Sequence, residues 1–114
     1  MTPATPTTTR FASCIAACYD CATACNECAS ACLAEPDIAM MRKCIALDIE
    51  CAQMCAAAAA SMARGSDHAS QICALCAEIC DACGAECGQH DMDHCQRCAE
   101  ACRRCAQECR KMAK

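Results

Sequence analysis

Between residues 14 and 32 the chain reads "CIAACYDCATACNECASAC", and the apolar repeat falls on Cys14, Cys18, Cys21, Cys25, Cys28 and Cys32, in steps of 4, 3, 4, 3 and 4. Such a repeat is the seam of a coiled coil, where Leu and Ile are the expected occupants. Here every seam position carries a thiol. The same alternation returns at Cys73, Cys76, Cys80, Cys83 and Cys87, and again at Cys95, Cys98, Cys102, Cys105 and Cys109. A sparser version holds Cys44, Cys51 and Cys55, with Asp48 on the skipped seam position. Outside the seams the sequence is Ala-rich and polar, which marks four amphipathic helices.

Punctuation bounds these helices. The first is expected from about Thr9 to Ala34, where "EPD" interrupts the pattern. Pro36 suits the first turn of the second helix, and Asp37 suits the positive end of its dipole. That helix is expected to reach Arg64 and stop at Gly65, a natural left-handed C′ residue. Ser66 is expected to cap a third helix running to Cys87 with Gly88 as its stop, and Asp91 to cap a fourth ending near Met112. Loops this short make neighbours antiparallel. The fold class is therefore all-α: an up-down-up-down four-helix bundle over residues 9–114, preceded by a flexible Thr/Pro-rich arm over residues 1–8.

Composition changes the picture of the core. Nineteen of 114 residues are cysteine, a density usual in disulfide-stapled secreted scaffolds. Yet "MTPATPTTTRF" has no apolar signal region, and no later stretch is expected to span a membrane. A cytoplasmic location with reduced thiols is expected. The count is odd, so complete pairing within one chain is impossible. Cysteines one helical turn apart place their Cβ atoms about 5–6 Å from each other, whereas a disulfide requires roughly 3.5–4.5 Å. Large apolar residues are scarce: six Ile, three Leu, one Phe and no Val, against 27 Ala. Ala favours helix and a thiol acts as a small hydrophobe, but little area is buried per residue. Something beyond packing is expected to add stability. The net charge of −4 and the 2% aromatic content, with no basic stripe, exclude a nucleic-acid surface.

Packing gives no reason for nineteen oxidisable groups, whereas metal binding does. Soft thiolates select Cu(I), Zn(II) or iron–sulfur clusters. A buried Cys₄ zinc site keeps a charge of about −2, and several stacked along one dry axis are costly. Cu(I) accepts two or three sulfurs, thiolates bridge, and roughly one ion per thiolate leaves the core almost neutral. With metal–sulfur bonds of about 2.3 Å, a two-coordinate ion spans sulfurs roughly 4.6 Å apart, within reach of each CxxxC or CxxC step. The ferredoxin run C-x₂-C-x₂-C-x₃-C-P is missing, and no CxxC pair sits in a βαβ pattern. No catalytic constellation is present and no enzymatic role is expected. The alternative that stays open is a buffer for Zn(II) or mixed soft metals, separable from Cu(I) storage by stoichiometry.

The motifs "CIAACYDCATACNECASAC", "KCIALDIECAQMC", "CALCAEICDACGAECGQH" and "HCQRCAEACRRCAQEC" resemble those of the bacterial copper storage proteins over nearly the whole chain, most closely the cytosolic branch. The resemblance implies many Cu(I) ions per chain held by core cysteines, and a homotetramer of bundles. It also implies that Asp48, in the pattern C-x₃-[polar]-x₂-C, is an auxiliary ligand. Topology brings the 34–36 and 88–91 loops to one end, with Met40, Met41, His90, Met92 and His94. Thioether and imidazole suit Cu(I), and the family places such donors at an open bundle end. His90, His94 and Met40 are therefore the expected auxiliary donors at a copper mouth. Met62, His68 and Met112 fall at the opposite end, so the asymmetry is weak in sequence. Ile38, Met41, Ile45 and Ile49 form a stripe beside the seam, readable as an interface or as packing within the bundle.

Overall fold

The computed structural model describes residues 11–113. They form four helices: α1 Ala12–Leu33, α2 Ile38–Arg64, α3 Ala69–Cys87 and α4 Asp93–Met112. The expected arm over residues 1–8 and the expected start at Thr9 lie outside the described residues. α1 and α3 each pack against both α2 and α4 and face one another diagonally across the bundle axis. The seams all turn inward, and every one of the nineteen cysteines is buried. Alanines flank them, including Ala17, Ala52, Ala59, Ala77, Ala99 and Ala106. Small flanking residues let the helices approach closely: a Cβ at Gly84 would lie 3.2 Å from the Cβ of Cys102 on α4. The only large apolar side chains fully enclosed among the described residues are Met41 and Met62.

α2, α3 and α4 end where expected, at Arg64, Cys87 and Met112, while their starts depart from expectation by one or two residues, each for a local reason. Asp37 is the N-cap of α2, its Oδ1 accepting from the Met40 amide at 3.2 Å, which puts Pro36 ahead of the first turn. Ser66 closes a turn before α3 rather than capping it. Its Oγ accepts from the His68 amide at 3.1 Å and its carbonyl from the Ala69 amide at 3.1 Å, leaving His68 at the N-cap. Gly88 ends α3 with φ −63°, a right-handed conformation that needs no glycine. The Gln96 amide group on α4 donates to the carbonyls of Gly88 (3.2 Å) and His90 (2.7 Å), holding that turn against α4. α4 starts one residue later than an Asp91 cap requires: Met92 is extended at the N-cap, and Asp93 in the first turn faces the positive dipole end.

Gly65 does take the left-handed conformation, at φ 68° and ψ 38°, and its amide donates to the Met62 carbonyl at 3.1 Å. A side chain costs about 1–2 kcal/mol there. Gly65→Ala is expected to lower unfolding stability by that amount in urea titration, and an unchanged midpoint would contradict the αL stop.

One expectation fails on α2. This helix is long and apolar enough to cross a membrane, with a window of mean hydropathy 1.3, although no such stretch was expected. The hydropathy comes from Ile45, Leu47 and Ile49, the cysteines and the Ala56–Ala60 run, and 44% of that window is buried within the bundle. The buried side is the thiol seam, which is the composition of a core helix rather than of a lipid-facing one.

Candidate metal centre

The inward seams bring thiols from all four helices into one continuous column. At the end formed by the 34–37 and 88–92 connections, Cys28 lies 3.8 Å from both Cys32 and Cys95, sulfur to sulfur. Cys32 meets Cys44 at 3.9 Å, and Cys44 meets Cys87 at 3.4 Å. Cys98 reaches Cys25 at 3.6 Å, and Cys21 reaches Cys102 at 3.7 Å and Cys51 at 3.9 Å. Cys55 touches Cys76 and Cys80 at 3.7 Å and Cys105 at 3.8 Å. Cys105 and Cys109 each reach Cys18 at 3.7 Å, and Cys109 reaches Cys14 at the same distance. Cys73 packs with Cys14 and Cys109 at this far end. None of these separations is a bond, since a disulfide needs about 2.05 Å.

Two levels of arrangement emerge. Within a helix the CxxxC pairs stand 3.8–4.0 Å apart, as at Cys28–Cys32, Cys83–Cys87 and Cys105–Cys109. Between helices the contacts are equally short, so quartets form whose donor atoms all lie within 4.8 Å of one another. One is Cys21, Cys25, Cys51 and Cys102; the next is Cys25, Cys83, Cys98 and Cys102; another is Cys21, Cys55, Cys80 and Cys105. Neighbouring quartets share corners. Spacing along one helix shows only the pairs, which is why the cross-helix quartets were not legible beforehand.

Asp48 sits inside the column, fully buried. Its Oδ1 accepts from Cys83, Cys87 and Cys98, each at 3.3 Å, and Cys44 lies 3.8 Å from Oδ2. Burial, followed by the neighbouring Cys98 sulfur, pushes its carboxyl up to about 10. A neutral acid among thiols is the consequence at pH 7. Burial also raises the Cys32 thiol, and lifts Cys95 to about 11. A cation entering the column reverses that preference, because it compensates the thiolates that burial disfavours.

The auxiliary donors separate on inspection. His94 faces the column: its Nδ1 lies 3.4 Å from the Cys28 sulfur and 3.5 Å from that of Cys95, and with Cys32 these residues form a further quartet. His90 instead places Nε2 at 2.9 Å from Glu86, whose other oxygen is 3.8 Å from Lys43. Met40 points outward and is 57% exposed. The thioether on the seam is Met41, one step of three before Cys44 and fully enclosed. Extending the 41-44-48-51-55 repeat would have selected it. The opposite end is apolar: Met62 is enclosed, Phe11 and Met112 pack on the core, and His68 is exposed.

Comparison with known proteins agrees with this architecture. The family model for copper storage protein matches residues 7–114. No curated protein sequence matches significantly. Among solved structures, apo copper storage protein 3 from Bacillus subtilis is 53% identical over 90% of this chain and 97% of its own, with a TM-score of 0.83. A cytosolic copper storage protein from Streptomyces lividans, in a study of copper loading with five coppers, is 43% identical over 94% of each chain, TM-score 0.89. The copper storage protein Ccsp from the same organism, loaded with 10 copper equivalents, is 40% identical over 99% of this chain and 92% of its own, TM-score 0.90. With its thiol-lined four-helix bundle and this match over nearly its full length, the chain belongs to the copper storage protein family.

Proposed function

We propose that this chain stores many Cu(I) ions in the cytoplasm, held by the thiolates of its nineteen core cysteines within residues 9–114, and that it catalyses no reaction. The observation that carries this reading is the sharing of corners between thiol quartets. Shared sulfurs suit an ion of low charge and low coordination number, whereas tetrahedral zinc requires four sulfurs per ion and concentrates negative charge on the axis. The Streptomyces lividans relatives, one a cytosolic copper storage protein and another loaded with 10 copper equivalents, support the same assignment.

Asp48 and His94 are the auxiliary ligands of this reading, with the bundle end at His94 as the mouth. His90 stands behind that mouth, and Met40 lies outside it. A homotetramer, implied by family resemblance, is consistent with Ile38 and Ile49 standing 46% and 47% exposed on one side of α2.

The test is an anaerobic titration of the fully reduced protein with Cu(I) against a competing chelator. Saturation near one ion per thiol is expected. Saturation at one to four ions would refute storage. The same titration with Zn(II) is expected to stop near one ion per four thiols.

A further inference from the structure

We infer that Glu35 is the positioning residue of His94: from the α1–α2 connection it fixes the ring so that Nδ1 presents a lone pair to the thiols of Cys28 and Cys95. The inference rests on the reading of His94 as a copper donor. Glu35 belongs to the "EPD" interruption, a segment whose only evident task is to turn the chain. Its amide donates to the Cys32 carbonyl at 3.1 Å, locking the residue to the last turn of α1, the helix that carries Cys28 and Cys32. From there the side chain reaches across to α4, where Oε1 stands 3.0 Å from His94 Nε2. The two side chains are largely covered, at 26% and 15% exposure.

The chemistry follows from what each group can do. A carboxylate only accepts hydrogen bonds, so Nε2 carries the proton facing Glu35. The neutral ring then has its lone pair on Nδ1, the atom 3.4–3.5 Å from two sulfurs. An imidazole has two tautomers and two ring orientations, and only one of the four combinations offers a lone pair to the column. Other acceptors are close enough to matter. His94 also lines a groove of about 260 Å³ with Asp20, Thr23, Glu27 and Arg97. Without Glu35, the ring is free to turn toward those acidic side chains. Orientation of a ligating imidazole by a carboxylate on its other nitrogen raises ligand basicity, and its loss weakens metal binding roughly 10–100-fold.

The test uses the full-length reduced chain with Glu35→Ala, Glu35→Gln and His94→Ala. Nitrogen NMR of the imidazoles, recorded before any metal is added, reads the tautomer directly. Wild type is expected to show a single His94 form protonated on Nε2; Glu35→Ala is expected to show a mixture; Glu35→Gln, which keeps an acceptor at the same reach, retains most of the wild-type form. His90, bound to Glu86, is the internal reference and is expected to stay unchanged. Competition titration then reads Cu(I) binding step by step, and the equivalents held at His94 are expected to bind roughly 10–100-fold more weakly in Glu35→Ala with total capacity preserved. A Glu35→Ala spectrum and affinity identical to wild type, with His94→Ala weakened, would overturn the role of Glu35. Unchanged affinity in His94→Ala would instead overturn His94 as a donor, and the tautomer data would show separately whether Glu35 holds the ring.

Discussion

Filling the thiol column with Cu(I) is expected to raise the melting temperature of the reduced protein by about 15 °C or more. The metal-free core is weak by construction. Its fully enclosed side chains are thiols, alanines, two methionines, a serine and an aspartic acid, and none of the few Ile, Leu or Phe residues is completely buried. Burial of apolar area at about 25 cal/mol per Å² therefore yields little per residue. An ion that binds only the folded chain contributes about 4 kcal/mol when its free concentration is 1,000 times its dissociation constant. For a domain near 100 residues each kcal/mol moves the midpoint by roughly 4 °C or more, so one well-filled site suffices for the predicted shift. Anaerobic calorimetry of the metal-free and loaded forms checks it, and coincident transitions would contradict storage inside the fold. Because loading displaces thiol protons, the gain is expected to shrink as pH falls.

Asp48→Asn has the opposite character: it is expected to strengthen the metal-free protein at pH 7 by as much as about 4 kcal/mol. The sign follows from the direction of the shift. The folded-state carboxyl is raised to about 10 from an ordinary value of 3.8, first by burial and then by Cys98. The folded chain thus holds a proton that the unfolded chain releases, and stability declines as pH rises from about 4 toward 10. At neutral pH the loss amounts to 1.36 kcal/mol for each of the roughly three units above the ordinary value. Asparagine carries no such proton, so its stability is level over this range apart from the thiols. Urea unfolding at pH 4, 7 and 9 checks the prediction: the two proteins are expected to converge at pH 4 and to separate as pH rises. A constant difference across pH would show that the carboxyl is charged in the fold. Convergence at pH 4 with separation above it would support the role proposed for Asp48 toward the ion, where its charged form is useful.

The bundle was legible in the sequence because a 4-3 repeat of any buried residue type specifies a helical seam, and four such seams separated by breaks specify a bundle. Thiols substitute for leucine in that pattern without altering its period. Helix ends were less legible. Ser66 and Asp91 are good capping residues by type, but the chain closes a turn with one and extends past the other before α4 begins. Which thiols meet across helices depends on the relative rotation and stagger of α1 to α4, and one chain's spacing does not encode that. The split between His90 and His94 has the same origin. Both occupy the same connection region, yet His90 lies one turn from Glu86 while His94 enters the first turn of α4 beside Cys95. Glu35 was invisible for a different reason: its partner lies 59 positions away, and a lone carboxylate in a turn has no signature.

The unlike ends of the column also set an order of traffic. Phe11, Met62 and Met112 close one end with apolar bulk, while the other ends in an imidazole that is partly open to solvent. Between them the sulfurs form a continuous file with separations of 3.4–4.0 Å, short enough for an ion to exchange one sulfur for the next. With the mouth proposed at His94, ions that enter first are expected to lie deepest and those that arrive last nearest the opening. If departure uses the same opening, the content behaves as a stack: the most recent copper is the first surrendered, and the copper beside Cys14, Cys73 and Cys109 is a reserve drawn only when all the rest has gone.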